Sequence, residues 1–305
     1  MRAARVPAVG PIAGVAVEDV PIPEPARDQV RVAVARAALN PIDYKVVLHG
    51  HRGGRTFPLT LGFDAIGTVD AVGADVTEVA VGDRVCLMTD IPAPGTAAEF
   101  VLARERNVAR VPEGVADDQA AGLPLAGLTA YQALNRAGLE AGQSILVHAG
   151  AGGVGHLAIQ LAKARGLVVY ATSSVAHLDL LAELGADHPI DYHATSPGKF
   201  APAVDGVLDP CGGETAVATV SGLRPGAVHV SIVGFGPDAY RRDDVRMETM
   251  LVEPRADDLA ALVAAVHQGS LRVLVHDVTP LERVRDSLEA LHAGHTVGKR
   301  IIAIA

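Results

Sequence analysis

Cysteine is scarce in this chain of 305 residues, which contains only Cys86 and Cys211. Two cysteines are too few for a disulfide framework or a structural metal site. No apolar run reaches the roughly 18 residues that a membrane-spanning helix needs, so no such helix is predicted. Prolines, glycines and two acidic residues interrupt the first twenty positions, where a signal peptide would carry its apolar segment. We therefore expect a cytoplasmic protein.

Positive charge is also in short supply. The 26 Lys and Arg residues face 35 Asp and Glu residues, which gives a net charge of −9. This acidic balance argues against nucleic acid or an anionic membrane as the main partner and favours a small-molecule substrate. Apolar residues make up 49% of the chain and charged residues 20%, as in a folded globular protein. The length suits two domains.

The most informative segment is a glycine loop between a short apolar run and a helical pattern, at 145–165. It contains the spacing Gly-x-Gly-x-x-Gly at Gly150, Gly152 and Gly155, and a second apolar run follows at 167–172. In the dinucleotide-binding fingerprint these glycines allow a tight turn, close approach of the pyrophosphate and helix–strand packing. The helix N-terminus adds N–H donors for the phosphates. We predict that a nicotinamide nucleotide is bound by Gly150, Gly152, Gly153, Val154 and Gly155.

Two kinds of pattern divide the chain. Residues up to about 115 are β-rich, with alternating valines at 29–36 and short runs at 67–72 and 84–88. Strands and helices then alternate, which predicts an α/β fold with a doubly wound parallel sheet. Its candidate strands lie at 144–149, 168–172, 188–191, 204–209, 227–233 and 249–252, and its helices at 154–165, 176–184, 213–222 and 257–268. The tail, with strands at 271–275 and 300–305 around a helix at 281–292, is expected to rejoin the first domain.

An ordered set of short motifs runs through the chain: Asn40-Pro-Ile-Asp43, Gly62-Phe-Asp64, Val81-Gly-Asp-Arg-Val85, Gly127-Leu-Thr-Ala-Tyr131, the glycine loop and Gly294-His-Thr-Val-Gly-Lys299. Together they resemble the medium-chain dehydrogenase/reductase superfamily, and within it the zinc-independent quinone oxidoreductase and enone reductase branch, the zeta-crystallin-like proteins. The resemblance implies a GroES-like β-rich partial barrel (1–115 and 270–305), a Rossmann NADP-binding domain (116–269) and a homodimer.

Zinc-containing members of the superfamily bind a catalytic Zn²⁺ through three side chains, and the resemblance puts Asn40, Phe63 and Leu125 at those positions. Asparagine is a poor zinc ligand, and phenylalanine and leucine cannot bind a metal, whereas a catalytic zinc normally has three protein ligands. The four-cysteine structural lobe is also missing, because 90–107 contains no cysteine. The 12 histidines form no His-x-x-x-His pair. We expect no zinc.

The end of the second strand of the alternating region bears on the choice of nucleotide. Where NAD-binding folds have an acidic residue for the ribose hydroxyl, this chain has Ser173 and Ser174, which could donate hydrogen bonds to a 2′-phosphate. A helix N-cap is the alternative role for these serines. His177 lies nearest the basic residue of NADPH-binding relatives, and Tyr192 matches a position that approaches the 2′-phosphate in them. We expect NADPH.

Hydride transfer requires the nicotinamide C4 about 3–3.5 Å from an electrophilic carbon, and a group that stabilises the developing oxyanion. Without a metal to lower the pKa of an alcohol, a quinone or enone is the favoured substrate. The resemblance places Asn40 beside the nicotinamide, where it could hydrogen-bond a carbonyl or a ribose hydroxyl. Tyr44 is a proton donor or an aromatic wall, and Lys45 steadies an enolate or a cofactor hydroxyl or is a solvated charge.

Four further positions are candidates for the cofactor site. Thr129 resembles a threonine that contacts the nicotinamide, although helix packing is an alternative. Pro210, Val233 and Gly234 lie at strand ends, where the ribose and nicotinamide should pass. Phe235 could form an apolar wall of the pocket or pack in the core.

The sequence thus predicts an NADPH-dependent quinone or enone oxidoreductase. An enoyl-thioester reductase remains open, since it would use the same scaffold. So does an NADPH-binding protein with little catalytic activity, because such a protein would keep the glycine loop. Retention of Asn40, Tyr44 and Thr129 together favours an enzyme. A zinc alcohol dehydrogenase is disfavoured by the residues at the three ligand positions.

Overall fold

A computed structural model describes residues 1–50, 57–91, 95–201, 204–234 and 241–304. Two compact units are formed, the first by 1–128 with 253–305 and the second by 129–252. The boundaries expected from the sequence for the two functional domains, 1–115 with 270–305 and 116–269, stay a prediction. No helix within the described ranges combines the length and apolar character needed to cross a bilayer.

The strands, in chain order, are β1 (Arg2–Val6), β2 (Ala16–Asp19), β3 (Gln29–Leu39), β4 (Leu59–Thr60), β5 (Asp64–Val72), β6 (Arg84–Met88), β7 (Phe100–Arg104), β8 (Val108–Arg110), β9 (Ser144–Val147), β10 (Val168–Ser173), β11 (His188–Asp191), β12 (Gly206–Asp209), β13 (Val228–Ser231), β14 (Arg246–Thr249), β15 (Val275–Pro280) and β16 (Lys299–Ala303). The helices are α1 (Pro41–His49), α2 (Asp117–Gly122), α3 (Pro124–Ala137), α4 (Gly155–Ala164), α5 (Leu178–Glu183), α6 (Pro197–Phe200), α7 (Gly213–Gly222), α8 (Ala256–His267) and α9 (Val284–Ala293).

The first unit is built on a sheet with the order β15-β16-β3-β5-β6-β8, to which β7 adds by pairing with β3. Alternation along β3 buries Val30, Val32 and Val34 in the core of this unit, as the period-2 pattern predicts. The C-terminal strand β16 pairs antiparallel with β3, so that Arg300 lies opposite Leu39. The end of the chain therefore completes the sheet that its first third begins.

The second unit is a six-stranded parallel sheet with the order β11-β10-β9-β12-β13-β14. This is the doubly wound order in which the third, second and first strands are followed by the fourth, fifth and sixth. Every residue of β9, β12 and β13 is buried, because helices cover both faces of such a sheet. The prediction of a GroES-like β-rich part and a Rossmann sheet is confirmed. Ligands of this fold bind at the carboxyl ends of the strands, where β9 lies between β10 and β12.

Two predicted strands are wrong. The strand expected at 249–252 is instead β14, Arg246–Thr249, which pairs with β13 at the edge of the parallel sheet. The alternating run at 271–275 buries Leu271 and Val273 but joins the sheet only at Val275, where β15 begins. In both places an apolar pattern reports burial rather than strand pairing.

Candidate functional site

The glycine loop connects β9 to α4 and folds around the carbonyl of Ala149. The backbone of Ala149 is left-handed, with φ at +49°. A Cβ on Gly155 would lie 2.2 Å from that carbonyl oxygen, and one on Gly150 would lie 2.8 Å from Leu181 Cδ2. Gly155 is therefore required for α4 to pack on the loop, whereas a side chain at Gly150 would have to displace the ends of buried side chains. A Cβ on Gly152 would come no closer than 3.2 Å to any atom of the chain, with Ala149 O the nearest. This contact is tight but less severe than the one at Gly155, and Gly152 is the position where the fingerprint needs close approach of a pyrophosphate.

A buried histidine that the sequence analysis missed fixes this loop. His156, in the first turn of α4, is fully buried, and its Nδ1 lies 2.8 Å from the carbonyl oxygen of Gly152. Because a carbonyl only accepts, Nδ1 carries the hydrogen. His156 directly follows the last glycine of the loop in the sequence. Its contact with the Gly152 carbonyl depends on the first turn of α4, so it becomes evident only in the folded structure.

The residues predicted to contact the 2′-phosphate meet at the ends of β10 and β11. The Tyr192 N–H donates to the carbonyl of Ser173 over 3.1 Å. Ser174 is the N-cap of a 3-10 helix, Val175–His177, but its side chain forms no capping bond, so the proposed N-cap role does not occupy its hydroxyl. His177, at the end of that short helix, is half-buried. The Tyr192 ring is 45% exposed and lies 4.2 Å from that of His193.

The loop after β12, which contains Pro210, is held by the buried side chain of Asp209. Asp209 Oδ1 accepts hydrogen bonds from the N–H groups of Cys211 and Gly212, at 2.8 and 2.9 Å. His229 Nε2 lies 3.3 Å from Asp209 Oδ2, and neither side chain is exposed. Burial opposes ionisation of this carboxyl, yet His229 and the N–H group of Gly212 lower its pKa overall. The loop is therefore rigidly placed at the carboxyl edge of the sheet.

The remaining predicted contacts of the second unit lie at the same edge or in α3. Val233 and Gly234 follow β13, with Val233 41% exposed and Gly234 at φ +86°. Ser231 Oγ donates to the Gly234 carbonyl over 3.2 Å and closes this turn. Thr129 is buried in α3. Phe235 and residues 51–56 lie outside the residues that the structure describes.

In the first unit Asn40 begins α1 and is held at its main chain by Asp43. Asp43 Oδ2 accepts the Asn40 N–H and its Oδ1 accepts the Gly62 N–H, both at 2.8 Å. These bonds tie the start of α1 to the turn before β5. Burial raises the pKa of Asp43 to about 6 even though both bonds favour the carboxylate. The negative charge of Asp64 also raises it, so a second acid lies near.

The side chain of Asn40 belongs to a buried polar cluster centred on Asp64. Asp64 Oδ2 accepts from Asn40 Nδ2 at 2.9 Å and from Lys299 Nζ at 3.3 Å. Asp64 Oδ1 accepts the Leu125 N–H at 2.8 Å, and Lys299 also donates to Asn40 Oδ1. Asn40 is 3% exposed, Lys299 2% and Asp64 0%. We call these three side chains the Lys299 cluster.

The other two predicted catalytic residues lie on α1, after Asn40. Tyr44 packs against the core of the first unit, with its ring 4.8 Å from that of His292. Burial raises the pKa of its hydroxyl. Lys45, the next residue, is exposed. The packing of Tyr44 favours the aromatic-wall interpretation.

Two known protein families match parts of this chain. The family described as alcohol dehydrogenase GroES-like domain matches residues 26–113, and that described as zinc-binding dehydrogenase matches 184–302. A chloroplast envelope quinone oxidoreductase homolog of Arabidopsis thaliana is 32% identical to this chain. The match covers 96% of this chain and 95% of the length of that relative. The chain belongs to the medium-chain dehydrogenase/reductase superfamily. Within it, the chain falls in the quinone oxidoreductase and enone reductase branch.

Two further relatives bear on this branch of the superfamily. The NADPH-dependent alkenal/one oxidoreductase of Arabidopsis thaliana chloroplasts is 34% identical, over 92% of this chain and 73% of its own. The quinone oxidoreductase of Coxiella burnetii, a solved structure, is 33% identical, with a TM-score of 0.92 over 100% of this chain and 99% of its own.

Oxidoreductases of this superfamily use a nicotinamide dinucleotide, and the second unit fits one. Gly152 has no side chain to keep a pyrophosphate from the loop backbone, and the N-terminus of α4 offers N–H groups to it. Ser173, Ser174 and Tyr192 gather at the adjacent strand ends, where the adenosine ribose would lie. The individual contacts of the predicted residues with the cofactor stay a prediction.

The zinc of other superfamily members does not fit the residues of this chain. Asn40 Oδ1 accepts from an ammonium, which would repel a divalent cation, and Phe63 offers only a buried hydrocarbon side chain. The third position, Leu125, uses its backbone N–H on Asp64. In the described ranges no group of three or more His, Cys, Asp or Glu side chains could bind a metal.

The cluster contains two residues that the sequence analysis did not select as site residues. Asp64 and Lys299 each end one of the short motifs that carry the family resemblance, and Asp43 ends a third. Their charge at those places was the available signal. What was missing was their contact, because 235 residues separate Asp64 from Lys299.

Proposed function

We propose that this protein is an NADPH-dependent, zinc-independent oxidoreductase that transfers hydride to a quinone or an α,β-unsaturated carbonyl compound. The observation that carries the proposal is the Lys299 cluster, which holds an amide where zinc-containing relatives of the superfamily have metal ligands. The names of the relatives, a quinone oxidoreductase and an alkenal/one oxidoreductase, support the substrate class.

The chemistry follows from what an amide can and cannot do. Bound NADPH supplies the hydride. Oxidation of a simple alcohol needs a group that lowers the alcohol pKa, as a metal does, and an amide does not. A quinone or enone needs only a hydrogen-bond donor for the oxygen on which charge accumulates. Asn40 Nδ2 is the donor proposed for that oxygen, and Lys45 is an exposed cation one turn along α1.

The preference for NADPH rests on the ends of β10 and β11. Ser174 has a side chain without a capping bond, and Ser173 is linked to Tyr192 through the main chain. Hydroxyls and N–H groups donate to a 2′-phosphate, whereas an aspartate in place of Ser174 would repel it. Tyr192 is exposed and His177 half-buried beside this position.

NADPH oxidation tests the proposal directly. The protein, dialysed against a chelator and assayed for zinc, is mixed with NADPH and either a benzoquinone or an alkyl vinyl ketone, with NADH in parallel. We expect turnover with NADPH, slower turnover with NADH and no gain on adding Zn²⁺. A primary alcohol with NADP⁺ is the control substrate and should not react. Zinc-dependent alcohol oxidation, or the absence of turnover with both acceptors, would contradict the proposal.

Compartment and assembly remain proposals from the sequence, the cytoplasm and a homodimer. β14 is the strand at one edge of the parallel sheet, and an edge can pair with a second copy. Light scattering that gives the mass of one chain, 31.4 kDa, would rule out the dimer. Cell fractionation tests the compartment.

A further inference from the structure

We propose that Lys299 is a positioning residue. Its buried ammonium, bound between Asp64 and Asn40, fixes the orientation of the Asn40 side-chain amide, so that the amide nitrogen is the end that donates to the substrate oxygen. The inference rests on the proposed function, because it names the group that meets the substrate oxygen. It assigns to Lys299 and Asp64 a role in catalysis exerted through Asn40.

The orientation of the amide follows from the chemistry of its two neighbours. An ammonium has only donors and a carboxylate only acceptors. Lys299 can therefore bind only the amide oxygen of Asn40, and Asp64 only the amide nitrogen, as the structure has them. The flipped amide would place N–H groups against the ammonium and an oxygen against the carboxylate. The cluster thus removes the usual ambiguity between the two ends of an asparagine.

Fixing the amide settles which end of Asn40 remains for a ligand. An amide nitrogen has two hydrogens, and Asp64 accepts one of them. The second is a donor, suited to a carbonyl oxygen and to the negative charge that grows on it during hydride addition. The ammonium on Asn40 Oδ1 polarises the amide and makes its N–H groups stronger donors.

Lys299 reaches the cluster from a rigid backbone. It is the first residue of β16, its N–H donates to the Leu274 carbonyl over 2.8 Å, and its side-chain stem passes Gly122 of α2. Gly298 before it has φ +69°, and a Cβ there would lie 2.2 Å from the Leu274 oxygen. The ammonium is therefore placed by a turn that only glycine allows, not by a flexible surface chain.

Stability alone does not require this arrangement. A buried ion pair is commonly replaced by apolar residues of similar size without loss of stability, whereas removal of one partner is strongly destabilising. A packing role and a positioning role therefore make different predictions for a variant in which both charges are removed together.

The test compares Lys299→Met, Asp64→Asn and the double variant Lys299→Met/Asp64→Asn with the wild type. The matched control is Arg300→Met, which removes the next cation of β16, paired with Asp277 outside the cluster. We expect Lys299→Met to lower both Tm and kcat. The double variant should recover Tm while kcat with the quinone stays reduced by about 100-fold. The Kd of NADPH should change by less than about twofold in every variant, because the residues proposed to bind its phosphates belong to the second unit.

Two outcomes would overturn the proposal. If the double variant recovers kcat along with Tm, Lys299 is only part of the packing. If Lys299→Met folds and keeps wild-type kcat, the amide needs no ammonium. Arg300→Met should retain kcat, because its ion pair with Asp277 lies outside the cluster.

A spectroscopic readout separates failure of this inference from failure of the proposed function. The side-chain amide of Asn40 is assigned in ¹⁵N-labelled protein by its loss in Asn40→Asp. We expect its hydrogens to exchange with water at least about tenfold faster in the double variant than in the wild type or Arg300→Met. Unchanged exchange would overturn the positioning role even if no substrate were turned over. Altered exchange in a protein inactive on quinones and enones would retain the positioning role and reject the proposed substrates.

Discussion

Single residues explain why one glycine loop serves both the fold and the cofactor. Gly155 is needed because the backbone of the loop occupies the space that a side chain would take. The contact at Gly152 is milder, with a Cβ 3.2 Å from the Ala149 oxygen. The fold therefore constrains Gly152 less than Gly155, and close approach of a pyrophosphate is a second reason for glycine at Gly152.

Alanine substitution separates these two roles. Gly152→Ala should lower Tm less than Gly155→Ala does but raise the Kd of NADPH by about tenfold or more, because its methyl group meets the pyrophosphate. Gly155→Ala should lower the free energy of unfolding by about 2–3 kcal/mol, because its methyl group clashes with the Ala149 carbonyl. Thermal unfolding and fluorescence titration measure both. Equal NADPH binding by Gly152→Ala and the wild type would show that the pyrophosphate lies elsewhere.

Tyr44 offers a test of whether a phenol takes part in the chemistry. Its ring packs on the core and on His292, and burial raises its pKa, which makes it a reluctant acid. We expect Tyr44→Phe to keep kcat within about twofold, since the ring and its packing remain. Tyr44→Ala, the matched comparison, should lower stability. A loss in Tyr44→Phe of about 100-fold, the scale of a lost general acid, would restore the proton-donor interpretation.

The regular elements were largely predictable because their patterns are local. Helix α7 begins and ends at the predicted residues, and β6 was predicted correctly at both ends. The failure at β14 has a physical cause. An edge strand has one neighbour and is partly exposed, so its sequence, Arg-Met-Glu-Thr, lacks the apolar run that marks the central strands. The apolar residues just after it, Met250 and Val252, are buried but lie beyond the residues of β14 that pair with β13. Their apolar character is the reason that the strand was predicted at 249–252.

The candidate site divides in the same way. The glycine loop and the serines at the end of β10 are contiguous in sequence, so a pattern could predict them. The Lys299 cluster joins residues from β5, β16 and the start of α1, and no local pattern records that contact. Asn40 was predicted from family resemblance, but its orientation depends on neighbours that only the folded sheet brings together.

The end of β10 provides a test of nucleotide preference. Ser174→Asp places a carboxylate where the side chain makes no capping bond. We expect the kcat/KM ratio of NADPH to NADH to fall by about tenfold or more, because the new charge repels a 2′-phosphate and accepts from a ribose 2′-OH. Ser174→Ala is the control for loss of the hydroxyl and should change the ratio less. An unchanged ratio in Ser174→Asp would place the 2′-phosphate away from this strand end.

Across the whole molecule, two buried groups make opposite contributions to the pH dependence of stability. Asp43, in the first unit, has a pKa raised from 3.8 to about 6 by burial, so its ionisation destabilises the folded state as pH rises through that window. His148, in the second, has a pKa lowered from 6.5 to about 4 by burial, so its protonation destabilises the folded state as pH falls. Each contribution amounts to about 3 kcal/mol.

The hydrogen bonds of His148 explain why it stays neutral. The Thr219 hydroxyl donates to the Thr215 carbonyl, so it must accept from His148 Nε2–H at 2.9 Å. His148 Nδ1 is then the acceptor for the Thr172 hydroxyl, at 3.1 Å. A second proton on the ring would remove this acceptor as well as create a buried charge. The neutral form is therefore the one that fits.

These two windows overlap between about pH 4 and 6, so they largely cancel in the wild type, and single variants should reveal them. Relative to the wild type, Asp43→Asn should gain about 3 kcal/mol of stability as pH rises from 4 to 7, because it no longer ionises. His148→Gln should lose about the same amount relative to the wild type over that range, because the wild type alone regains stability as its histidine deprotonates. Urea unfolding at several pH values measures both differences.

Because the two residues lie in different units, the double variant should show the sum of the two single differences. If the difference in stability between Asp43→Asn and the wild type does not vary with pH, this carboxyl titrates normally despite its burial.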